Sequence, residues 1–179
     1  MSRKLFPIFI ALVFFLGIAA GSVFAADKYA KLTTDLISQD DAVRTKAVKE
    51  LVKAGKPAVP SVVKALQSLE VYTGRANAAV VLGRIGDKSA VPALIKALGD
   101  EYTDVKVKST EALGLLGDKK AVDPIIAAMK EGNYDLKTTG AVALGKLGDK
   151  KAVPYLKELE KIQDENLHKA VKTALERLK

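Results

Sequence analysis

An all-α solenoid of about five antiparallel helix pairs is the fold class that this sequence predicts, and three observations predict it. The first is a glycine beat: Gly55, Gly86, Gly117 and Gly148 stand 31 residues apart. The second repeats at the same interval, with Leu51, Leu82, Leu113, Leu144 and Leu175 in one column and Arg44, Arg75, Lys106, Lys137 and His168 in another. The third is a turn phrase that returns nearly verbatim: Gly86-Asp87-Lys88-Ser89-Ala90-Val91-Pro92, then Gly117-Asp118-Lys119-Lys120-Ala121-Val122-Asp123-Pro124, then Gly148-Asp149-Lys150-Lys151-Ala152-Val153-Pro154. A fixed period of roughly 20–50 residues marks stacked supersecondary units, none of which buries its apolar face alone.

Residues 1–25 read as a signal peptide and 26–179 as the repeat domain, in units of roughly 28–55, 56–86, 87–117, 118–148 and 149–179. Arg3 and Lys4 supply the basic start, Leu5 to Ala20 an almost wholly apolar run, and Val23 and Ala25 the small residues of a cleavage site after Ala25. The other reading is an uncleaved anchor, but the 16 apolar residues fall short of the run of about 20 that spans a bilayer comfortably. No cysteine follows, which excludes lipoprotein anchoring and, with none in the chain, disulfides, thiol nucleophiles and thiolate metal sites. Cleavage would remove two of the 29 basic residues and leave 27 against 21 acidic ones, a net of +6. Outside the cytoplasm that charge points to acidic proteins or anionic surfaces rather than to nucleic acid.

The mature chain opens with a helix from Ala30 to Ser38, carried by Leu32, Leu36 and Ile37 at helical spacing. Asp40 or Asp41 caps the next, Ala42 to Ala54, whose Val43, Ala47, Val48, Leu51 and Val52 fall on one face. Gly55 stops it by taking positive φ. Pro60 starts a further helix with Val62, Val63, Leu66 and Leu69 as its stripe, because proline lacks only an N–H that the first turn leaves unpaired anyway. Its partner runs from about Arg75 to Ile85. The unit then recurs as Pro92 to Leu98 with Val105 to Leu116, Pro124 to Met129 with Leu136 to Leu147, and Pro154 to Ile162 with Leu167 to Leu178. Each unit is thus a short A helix opened by proline and a longer B helix closed by glycine. Gly83, Gly114 and Gly145 sit inside B helices, where each costs about 1 kcal/mol against alanine. Three at one register predict close approach by a neighbouring helix.

The phrases Val43-Arg44-x-x-Ala47-x-x-Glu50-Leu51 and Val105-Lys106-x-x-Ser109-x-x-Ala112-Leu113-Gly114 resemble the core of HEAT repeats. The Gly-Asp-x-x-Ala-Val-Pro turns are similar to the short variant named after phycobilisome lyases. The resemblance implies a curved, right-handed α-solenoid with B helices on the concave face, serving in most members as a protein-interaction scaffold and in a minority as a handler of bilin chromophores. Gly74, Gly140 and the substitutions Lys106, Lys137 and His168 depart from that pattern.

Two columns are candidate partner-binding sites. Arg44, Arg75, Lys106, Lys137 and His168 form a ladder along one edge of the B layer. It is either an anion-binding stripe or a structural set bonded to helix carbonyls and to carboxylates such as Asp41, Asp104 and Asp135. Tyr72, Tyr102 and Tyr134 lie at the A-to-B turns, either as a protein-binding rim or as covers for helix ends. Lys56, Lys88, Lys119, Lys120, Lys150 and Lys151, beside Asp87, Asp118 and Asp149, read as a solvated rim. His168 is the lone histidine, and no motif suggests a catalytic residue, metal or cofactor.

The expected function is an exported, periplasmic or secreted, non-enzymatic scaffold that binds a protein partner, acidic in character, on its concave face and turn rim. No nucleic acid is expected, and membrane contact only through the signal peptide before cleavage. The alternatives are a bilin-lyase-like chromophore handler, which export disfavours, and a charge-driven binder of anionic polymer or membrane surface.

Overall fold

The computed structural model describes residues 29–179, so the signal peptide expected at 1–25 lies outside the described residues. Every regular element described is helical. A helix over 29–35 (α1) leads into α2 (Asp41–Ala54), α3 (Val59–Ser68), α4 (Tyr72–Ile85), α5 (Val91–Ala97), α6 (Thr103–Leu116), α7 (Val122–Lys130), α8 (Tyr134–Leu147), α9 (Val153–Leu159) and α10 (Glu165–Arg177). Odd-numbered helices are the A set and even-numbered helices the B set of an α-solenoid of antiparallel pairs.

One local device joins the repeats. Gly86, Gly117 and Gly148 end α4, α6 and α8 with φ of 78°, 66° and 66°, a left-handed backbone that glycine adopts without steric cost. The following aspartate turns the chain: the carboxylates of Asp87, Asp118 and Asp149 accept the N–H groups of Ser89, Lys120 and Lys151 at 2.9, 3.0 and 3.0 Å. A single 3₁₀ turn then feeds the A helix, where Pro60, Pro92 and Pro154 take the second position rather than the first. Helices α4, α6, α8 and α10 begin two or three residues earlier than the apolar periodicity predicts, because their first turns (Tyr72, Thr103, Tyr134, Glu165) bury little and leave no periodic signal.

The leucine column forms the spine of the core. Leu51, Leu82, Leu113 and Leu144 are wholly buried, while Leu175 is only partly covered, since no repeat follows it among the described residues. Gly83, Gly114 and Gly145 are indeed points of contact. A Cβ built on them would stand 2.8, 3.0 and 2.9 Å from the Cα atoms of Ala112, Ala143 and Ala174 in the next B helix. Backbone therefore packs against backbone, closer than any side chain allows. Glu176 holds the same register in α10, where no further B helix among the described residues asks for the space.

The two glycine departures from the repeat pattern have a steric cause. A Cβ on Gly74 would lie 2.3 Å from Cγ2 of Ile37, and one on Gly140 would lie 2.3 Å from Sδ of Met129, so larger neighbours already fill those volumes. The layers also differ. Helices α4, α6, α8 and α10 pack tightly side by side, whereas A helices pack chiefly on their own B partners. A stack that is tight on one side and splayed on the other curves toward the tight side, which makes the B layer the inner face.

Candidate functional site on the B-helix face

The basic ladder divides by residue type. Arg44 donates from Nη1 to the Ser38 carbonyl at 2.6 Å and pairs through Nη2 with Asp41. Arg75 repeats the move one unit on, donating to the Leu69 and Glu70 carbonyls at 2.8 and 3.0 Å. Both arginines thus tie the carbonyl end of the preceding A-helix segment to the B helix. Arg75 also grips Asp100 of the next repeat with both teeth of its fork, Nε to Oδ2 at 2.7 Å and Nη2 to Oδ1 at 2.9 Å. The two side chains are only 11% and 12% exposed. Lys106, Lys137 and the exposed His168 form no ion pair among the described residues. Asp104 and Asp135, expected as their partners, point no bond at them.

Asp100 is the hub of this joint. Burial works to raise its pKa, but the Arg75 hydrogen bonds, the Tyr102 N–H at 3.0 Å and the charges of Arg75 and Lys106 together hold it below the ordinary carboxylate range. The hydrogen bond to Asp100 likewise raises Arg75 above the usual guanidinium value.

The tyrosine column also divides. Tyr72 and Tyr102 stack with centroids 4.5 Å apart and planes 8° from parallel, and the Arg75 guanidinium lies 5.5 Å from the Tyr102 ring centre. Stacking, cation–π contact and ion pair knit the second and third repeats together. Tyr134 stands apart, 56% exposed, with the Lys137 ammonium 6.0 Å from its ring centre. The lysine rim makes two cross-repeat pairs, Lys56 with Asp87 at 3.7 Å and Lys151 with Asp123 at 2.5 Å.

The B face carries a feature that the two columns did not reveal. A hollow of about 620 Å³ crosses α6, α8 and α10 over Asp104, Val107, Tyr134, Asp135 and Lys169. A second of about 330 Å³ lies between α6 and α8 over Glu111, Leu115 and Lys146. The two share Thr138, Thr139 and Val142, so they form one trough along α6 and α8. Three of the six large apolar side chains exposed among the described residues line it: Tyr134, Val142 at 39% and Leu115 at 56%.

Its basic end belongs to a further column at the 31-residue interval: Lys53, Arg84, Leu115, Lys146 and Arg177. The stems of Leu115, Lys146 and Arg177 cross the glycines of the preceding helix, 3.4, 3.7 and 3.6 Å from the Cβ positions at Gly83, Gly114 and Gly145. Leucine in a column otherwise basic was legible in the sequence at the same period as the rest. Among the described residues no group of three His, Cys, Asp or Glu side chains could hold a metal ion, and no helix is long and apolar enough to cross a membrane.

HEAT repeats match residues 29–106 and again 91–176. No curated protein matches the chain. Among solved structures, the complex of CpcE and CpcF of phycocyanin lyase from Nostoc sp. PCC7120 is 26% identical, with a TM-score of 0.70 over 82% of this chain and 63% of that one. The present chain thus spans less than two thirds of its length. The YibA protein of Escherichia coli is 16% identical at a TM-score of 0.65, covering 98% of this chain and 65% of that one. A designed armadillo repeat protein in complex with the peptide (KR)4 is 16% identical at a TM-score of 0.57, covering 89% and 85%. With matched segments running nearly end to end through the described residues, the chain belongs to the HEAT-repeat family.

Proposed function

We propose that the protein is an exported, non-enzymatic scaffold, periplasmic or secreted, that holds a segment of a partner protein on its B-helix face. The trough along α6 and α8 carries this reading. Tyr134, Val142 and Leu115 leave apolar surface in water at a concave site that the core does not need, and such patches mark interaction surfaces. Two of the similar solved structures are complexes, CpcE with CpcF and the armadillo protein with its peptide, which supports a binding role. The lysine rim and the basic end of the trough suit the acidic partner expected from net charge, while Asp104 and Asp135 give the opposite end the opposite sign.

The test is capture from extracytoplasmic extract with wild-type protein and with Val142→Asp, washed at low and at high salt. A partner that survives high salt and is lost with Val142→Asp supports the scaffold. Acidic molecules that wash off both proteins alike overturn it in favour of a charge-driven surface binder. A second reading, chromophore handling, is favoured by the likeness to the phycocyanin lyase complex. Protein purified from its native host with visible absorbance from a bound bilin would establish that reading instead.

A further inference from the structure

We infer that the trough takes an amphipathic helix of the partner, laid antiparallel to α6 and α8, acidic in its first turn and basic in its last. This rests on the B face being the binding face and specifies what lies there.

The chain carries 29 basic residues against 21 acidic ones, yet the N-terminal end of the trough is acidic on balance: Asp104, Asp135 and Asp164 line it against Lys169, with Asp104 and Asp135 exposed and free of ion pairs among the described residues. The other end is basic at Lys146. Between them the outward stripe of α8 is neutral: Thr138, Thr139 and Val142. On α6 the charges in that stretch neutralise each other, Lys108 with Glu111 at 3.2 Å. The site is therefore apolar in the middle and oppositely charged at its ends.

Length and direction then select the occupant. Asp135 and Lys146 stand eleven residues apart on the helix, about 17 Å, or three turns of a partner helix at about 1.5 Å per residue. An extended peptide crossing the B helices covers one level of the trough and cannot reach both Asp104 and Asp135 at one end and Leu115 and Lys146 at the other. A helix running antiparallel to α6 and α8 reaches from Lys146 and Leu115 at one end to Asp104 and Asp135 at the other. Its first turn, where helices favour carboxylates, faces Lys146, and its last turn, where they favour Lys or Arg, faces Asp104 and Asp135. The dipoles of guest and host also oppose each other. Tyr134, Val142 and Leu115 meet its apolar stripe in the helix-in-groove manner.

The test uses the full chain and three synthetic probes. Two are amphipathic peptides of about 14 residues with the same composition and apolar stripe, one with glutamates in the first turn and lysines in the last, the other with those turns exchanged. The third is an alternating Lys-Arg octapeptide. Binding is measured by calorimetry at physiological salt. The first peptide should bind about tenfold tighter than the second, and Leu115→Asp or Val142→Asp, both at exposed positions checked for helicity by circular dichroism, should weaken it about tenfold. The double variant Asp135→Lys with Lys146→Glu should reverse the preference. Equal binding of the two helical peptides, or of wild type and its charge-exchanged variant, overturns the inference. Tighter binding of the Lys-Arg peptide overturns it too, while leaving a partner-binding B face intact. Binding of all three that ignores Leu115 and Val142 overturns both.

Discussion

Arg75 and Lys106 hold the same repeat position and do different work, because a guanidinium fork can serve two carbonyls and one carboxylate at once. A lysine ammonium in its place has no planar fork with which to match the carboxylate. Removing Arg75 would strand the Asp100 carboxylate in a half-closed joint. Arg75→Ala is expected to lower stability by about 3 kcal/mol in chemical denaturation, and Arg75→Lys by part of that. The pH dependence follows from Asp100, whose carboxyl is held below its ordinary range. Its contribution is complete above the unfolded-state value of about 3.9 and is lost as pH falls through the lower folded-state value. Wild type should therefore lose stability below about pH 4 more steeply than Asp100→Asn, as acid titration of the folded fraction would read.

The glycines of the B helices trade local for tertiary stability. An alanine at Gly83 would gain about 1 kcal/mol of helix propensity. Its Cβ, however, would sit 2.8 Å from a backbone atom of Ala112, which cannot rotate away as a side chain can. Gly83→Ala should thus destabilise by about 1–3 kcal/mol in urea titration despite the better helix former. Glu176→Gly, at the same register but without an opposing helix among the described residues, should cost no more than the propensity difference of about 1 kcal/mol. Equal effects of the two changes would show that the close approach carries no energy.

In a stack of repeats stability is a sum of unit and interface terms, so the weakest interface opens first. That interface lies between α2 and α4. Val52 stands at the register of Gly83, and α2 buries only Ala47 and Leu51, against seven buried residues in α4. Val43 is 38% exposed where its counterparts Val105 and Leu167 are wholly buried. Amides of α1 and α2 are expected to exchange with solvent about tenfold faster than those of α6 and α8 under native conditions. Uniform protection across the B helices would contradict this.

The period of 31, the helix pairs and the glycine, aspartate and proline turns were legible in the sequence alone. Their causes are local: apolar periodicity, positive φ and a missing N–H act within a few residues and repeat wherever the residues repeat. Even the close approach at Gly83, Gly114 and Gly145 was legible, because only contact explains a poor helix former kept at one register. Tertiary structure decided the rest. Arg75 meets Asp100 across 25 residues, Tyr72 stacks on Tyr102 while Tyr134 stays free, and Leu115 emerges in a basic column to floor a trough. These pairings depend on the spacing and rotation of whole helices in the stack, which a side chain's own neighbours in sequence do not set.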